Sequence, residues 1–130
     1  MLNFARFFFQ GLKNTLRLQN GVNFSYKGPW VPVIGETVID EWYVGDFMAA
    51  EYTICVDGGN INKEIVKCLV VAGPSEAAVT VYGRTSLQQD MISLSASVDN
   101  SRLSLTASPM SAGAKKLIFS VTYYHTINEL

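Results

Sequence analysis

His125 is the sole histidine of this 130-residue chain, and it follows Tyr123-Tyr124 at the end of a strand-like run. A serine nucleophile needs an imidazole beside a serine on a sharp turn, and no G-x-S-x-G segment exists. His125 therefore reads as a structural hydrogen-bonding or interface residue. Asp40, Glu41 and Asp46 cluster around Trp42 and Tyr43. Two carboxylates hydrolyse glycosides when one is desolvated and both are held at a set separation. No second acidic site marks a strand end, so the cluster reads as a solvated or inter-subunit charge patch. Asp57-Gly58-Gly59-Asn60 offers oxygens to calcium, but an EF-hand needs further ligands at fixed offsets, and a hairpin turn explains the segment. The glycines form neither G-x-G-x-x-G nor a P-loop. Cys55 and Cys68 fit no zinc spacing. Two reduced core residues or one cross-strand disulfide both agree with their placement. Arg84, just past a strand, is placed to pair with a carboxylate of a neighbouring strand or subunit. No catalytic, metal or cofactor set emerges, and the expectation is a protein that is not an enzyme.

The elements that carry these residues are mostly strands. From residue 46 the pattern has period two. Met48, Ala50, Tyr52, Ile54 and Val56 alternate with Ala49, Glu51, Thr53, Cys55 and Asp57. Glu64 to Ala72 is a near-continuous apolar run ended by Gly73-Pro74, and Val79 to Tyr82 is rich in β-formers. Ile92, Leu94, Ala96 and Val98 alternate with serines, and Asp99-Asn100-Ser101 turns the chain into Leu103, Leu105 and Ala107. Leu117, Phe119, Val121 and Tyr123 make the last strand. Six short strands with regular turns predict an all-β fold, an antiparallel, jelly-roll-like β-sandwich over 46–130. Its edge strands are places where a second chain can add.

Residues 2–18 predict an amphipathic helix, so 1–20 is set apart as a first element. Asn3, Arg6, Gln10, Lys13, Asn14 and Arg17 form a narrow polar stripe, and Phe4, Phe8, Phe9, Leu12 and Leu16 lie opposite. Such a side is not stable bare in water. It can fold back on its own domain, dock into a neighbouring subunit, or lie at a membrane interface, for which the cationic residues are few. Residues 21–45 are broken by Gly21, Gly28, Pro29, Pro32 and Gly35 yet are apolar, and they read as an extended arm on its own sandwich or a neighbour. Within it, Trp30 and Trp42 are either interface anchors or core aromatics. The expected interface residues are thus the five apolar helix residues, Trp30, Trp42 and Arg84.

Apolar residues make up 48% of the chain and charged ones 16%, which excludes disorder. Residues 1–27 hold four basic side chains and no acid, whereas 28–130 hold six basic and eleven acidic ones, a balance of −5. The cationic residues are too few and too scattered for nucleic acid. No apolar run is long enough for a transmembrane helix, and Phe7-Phe8-Phe9 is too short for a signal peptide.

Val79-Thr80-Val81-Tyr82-Gly83-Arg84, Asp90-Met91-Ile92-Ser93-Leu94-Ser95, Val98-Asp99-Asn100-Ser101, Gly113-Ala114-Lys115-Lys116-Leu117-Ile118-Phe119 and Tyr123-Tyr124-His125-Thr126-Ile127 carry a resemblance. Residues 46–127 resemble a module of virion structural proteins from marine phages, especially tailed phages of cyanobacteria. The resemblance implies a β-sandwich in tail, neck, fibre or capsid-surface parts, present in several copies, with no catalytic assignment. It implies a virion location, with other copies and other virion proteins as partners. The alternative is a carbohydrate- or receptor-binding sandwich, with Trp30, Trp42 or Tyr43 stacking on a glycan.

Overall fold

The computed structural model describes residues 28–126 in full and the backbone of Leu18–Gln19 and Asn23–Lys27. The expected helix lies outside the described residues except for Leu18, which is in a strand. Phe4, Phe8, Phe9, Leu12 and Leu16 lie outside with it. The described residues form ten strands: β1 (Leu18–Gln19), β2 (Asn23–Lys27), β3 (Val31–Pro32), β4 (Thr37–Tyr43), β5 (Phe47–Asp57), β6 (Lys63–Ala72), β7 (Ala77–Ser86), β8 (Ile92–Asp99), β9 (Arg102–Pro109) and β10 (Lys116–His125). No described helix is long and apolar enough to cross a membrane.

A seven-stranded antiparallel sheet runs β1-β2-β10-β5-β6-β7, with β3 also on β10, and a three-stranded sheet runs β4-β9-β8. The six strands expected from residue 46 are all present, as β5 to β10. Two expectations need correction. Residues 21–45, read as an extended arm on its own sandwich or a neighbour, hold strands of both sheets: β2 and β3 pair with β10, and β4 is an edge of the small sheet. Gly28-Pro29 and Gly35 separate these pieces, and β2 and β3, at five and two residues, are too short to show a period. The jelly-roll comparison also fails, because its strands divide between two sheets of similar size. Here β5, β6 and β7 follow one another as a meander in one sheet, and only three strands cover it.

Alternation decides which side chains the sheets enclose. In β6, Glu64, Val66, Cys68, Val70 and Ala72 point inward and the residues between them outward. The core joins Trp42, Leu103, Leu105 and Ile92 of the small sheet to Tyr52, Ile54, Val66, Leu117 and Tyr123 of the large one. Two tight turns fix the register. Asn100 and Ser101 both adopt positive φ, 52° and 63°, as a two-residue primed hairpin requires. At the β5–β6 turn Gly59 has φ +85°, and its N–H donates to Asp57 Oδ1. Asp57 Oδ1 also meets Lys63 Nζ at 2.6 Å, and that hydrogen bond is the main cause holding its carboxyl below the ordinary value.

The register separates the cysteines. Cys55 pairs with Ile65 and Cys68 with Tyr52, so they lie on opposite faces of the sheet and cannot bridge. Both are reduced. Cys68 is in the core, but Cys55 is exposed, which corrects the expectation that both are buried. Burial pushes the Cys68 thiol up to about 12. A thiol reagent applied to the native protein is expected to modify one cysteine, Cys55, and to reach Cys68 only after denaturant. Mass spectrometry of the peptides checks this; native labelling of Cys68 would contradict the register.

Candidate functional site

Asp40 is buried, contrary to the expected solvated patch. The register of β4 against β9 slips between Val38 and Asp40, so adjacent Ile39 and Asp40 both turn inward. Tyr52 Oη, from β5, and Tyr123 Oη, from β10, each donate to Asp40 Oδ2 at 2.6 Å. Trp42 Nε1 donates to Tyr52 Oη at 3.0 Å. The cluster bridges the two sheets, and Trp42 and Phe47 pack on Tyr123 around it. Burial, then the Asp40 charge and its hydrogen bond, raise the Tyr52 pKa well above the ordinary phenol value. Glu41 and Asp46 do not join this cluster. Glu41 pairs with Ser104 on the opposite face, and Asp46 lies in the β4–β5 turn, where its carbonyl accepts the Thr126 N–H.

Arg84 is paired within the chain. Its Nη1 donates to Glu64 Oε2 at 2.7 Å across β6 and β7. Ser86 Oγ lies 2.7 Å from the same oxygen, and the Met91 N–H donates to the carboxylate from 3.2 Å. Arg84 Nε lies 3.8 Å from exposed Asp90. The neighbouring strand thus supplies the carboxylate that the sequence left open, and the head group points into a fully covered partner. His125 packs on Phe47, with centroids 5.3 Å apart.

The aromatics expected to stack on a ligand are dispersed. Trp42 has no exposed surface, so it is a core aromatic and not an interface anchor. Trp30 is 48% exposed, with Lys116 Nζ 5.1 Å from its ring centroid. Tyr43 is exposed beside Val44, whose carbonyl accepts the Thr126 hydroxyl. Lys116 begins β10 and Thr126 follows its end, so Trp30 and Tyr43 occupy opposite ends of the sandwich. They do not form one platform.

Two surfaces were not singled out in the sequence. The first is the outer face of the large sheet, where Ile65, Leu69 and Val71 are exposed. Leu69, Val71, Ala49, Ala78, Thr80 and Tyr124 surround a shallow, mostly apolar depression of about 400 Å³. The signal was the near-continuous apolar run of β6, broken only by Lys67 after Glu64: a strand apolar on both sides has two faces to cover. The second is the edge of β7. This ten-residue strand ends the sheet order and pairs only with β6 among the described residues. A bulge opposite Lys67 and Cys68 turns Tyr82 onto the outer face, where it donates to Glu51 and where that bond is the main cause raising its pKa.

No protein-family model and no curated protein matches the sequence. Among solved structures, the chain is similar to part of the tailspike protein of Acinetobacter baumannii phage AM24, at 13% identity and a TM-score of 0.48, over 78% of this chain and 26% of that one. It is similar to tailspike protein gp49 of Acinetobacter baumannii bacteriophage Fri1, a capsular polysaccharide depolymerase, at 14% identity and a TM-score of 0.45, over 88% and 21%. The tailspike protein of Acinetobacter phage vB_ApiP_P1 gives 15% and 0.37, over 88% and 21%. The chain spans about a quarter or less of the solved structures it matches.

Proposed function

We propose that this chain is a non-catalytic structural component of a bacteriophage particle that acts through repeated protein–protein contacts. The virion setting rests on the resemblance carried by residues 46–127. The mode of action rests on one observation, the long β7 edge. An edge strand presents unpaired backbone donors and acceptors, and a second β-rich chain satisfies them by adding a strand. Val81 and Tyr82 are exposed along it. The non-catalytic reading is supported by how the acids are used: Asp40 joins the sheets and Glu64 is closed by Arg84 and Ser86. Repetition in a ring or fibre raises the effective concentration of each weak contact.

The expected result is self-association by light scattering and co-purification with particles in several copies. Placing lysines on the edge, Val81→Lys with Thr85→Lys, is expected to shift the purified chain to monomer without loss of fold, since edge lysines oppose strand addition. A chain that stays monomeric at high concentration and is missing from particles overturns the reading.

A further inference from the structure

We infer, resting on the edge reading above, that the strand added at β7 is β7 of a second copy of this chain. The two strands run antiparallel about a two-fold axis through Thr80 and join two large sheets into one. β7 is the longest free edge among the described strands, ten residues against eight in β8 and seven in β4. Natural edges are guarded by lysine, proline, an inward charge or a bulge. From Ala77 to Gly83, β7 holds no charged residue and no proline. Its one guard is the bulge opposite Lys67 and Cys68, which makes Tyr82 the extra residue and confines regular pairing to 77–82.

This short run is complementary to itself. With Thr80 on the axis, Thr80 faces Thr80 of the copy, Val79 faces Val81, and Ala78 faces Tyr82. Val79 and Val81 pair with Val70 and Cys68 of β6, so both lie on the inner side, where each valine covers the one opposite. Thr80 pairs with Leu69 and lies on the outer side, where facing threonines hydrogen-bond. Small Ala78 leaves room for the exposed Tyr82 ring, which Glu51 holds on the same outer face. The first charges beyond the run, Glu76 and Arg84, are opposite in sign and face each other across the join. Other axes lose this match. At Val79 the axis sets Tyr82 against Glu76, and at Val81 it sets Val79 against Gly83. The isologous pair consumes both β7 edges, so strand addition stops at a dimer.

The test uses the full chain with Cys55→Ser to remove the exposed native thiol, while buried Cys68 reports on folding. Under mild oxidation Thr80→Cys is expected to give a disulfide-linked dimer, because residues facing each other across the axis lie about 5 Å apart. Ala78→Cys is expected to give about tenfold less, since the two copies of that position are offset by four residues, about 13 Å, beyond disulfide reach. Adding Tyr82→Cys to Ala78→Cys is expected to restore the link. If Thr80→Cys exposes Cys68, this double substitution carries the test, and its failure to link is the overturning result. Non-reducing gels and light scattering read linkage and stoichiometry. A dimer that Val81→Lys with Thr85→Lys dissolves, but that Thr80→Cys does not link, overturns this register and leaves the edge reading standing. Equal linkage at positions 78 and 80 does the same. Association that the edge lysines leave intact removes the edge reading and this partner with it.

Discussion

Asp40→Ala is expected to lower folding stability by about 3–5 kcal/mol. The substitution removes the acceptor shared by two phenols that have no exposed surface. Each stranded hydroxyl costs about 1–3 kcal/mol when no partner replaces it. Asp40→Asn keeps an acceptor oxygen and is expected to cost less, about 1–2 kcal/mol, as is Tyr123→Phe, which removes one donor and strands nothing of its own. Urea unfolding of the three variants orders them. A neutral result for Asp40→Ala would mean that the bridge does not hold the sheets.

The same cluster sets an alkaline limit. Tyr52 has its pKa raised in the fold, by burial first and then by Asp40, so its neutral form is the one the fold favours. The associated stability is complete below the unfolded phenol value of about 10.0 and is lost as pH rises above it. Cys68 has the same sign, with loss beginning near its ordinary value of 9.0 and continuing to about 12. Each group adds a slope of up to about 1.4 kcal/mol per pH unit. Tyr52→Phe is expected to flatten the fall above pH 10 while leaving the part due to Cys68.

Arg84→Met is the second large effect, at about 3 kcal/mol. It leaves Glu64, with no exposed side-chain surface, without its cation, and Met91 N–H and Ser86 alone do not replace the guanidinium. The Arg84 side chain is itself 20% exposed, which keeps the figure at the low end of the range for buried pairs. The longer contact with half-exposed Asp90 adds little, because solvent screens it. Replacing both partners, Glu64→Leu with Arg84→Met, is expected to recover most of the loss, since an apolar pair carries no desolvation penalty. A thermal-unfolding double-mutant cycle measures this. If Arg84 instead served another subunit, Arg84→Met would leave the monomer unchanged and weaken assembly.

The sequence by itself determined the strands and their facing. Alternation in 47–57 and 92–107, with turn residues at 57–60 and 99–101, specifies which side chains go inward, because a strand has a two-residue period and a primed turn tolerates few residues. It also showed 64–72 as a near-continuous apolar run. It left Trp42 and Arg84 each with two roles, and it misjudged Asp40 and the segment 21–45. Those depended on pairings across long stretches of chain. Asp40 and Tyr123 are 83 positions apart, and a register slip beside Asp40 reverses the direction its local pattern suggests. Cys55 and Cys68 were separated only when β5 and β6 acquired a register, since a shift of one residue would exchange their faces. Local pattern is enough to set how a strand faces, but partners are chosen by the global pairing of strands, and so the buried bridges and the uncovered face became visible only in the tertiary structure.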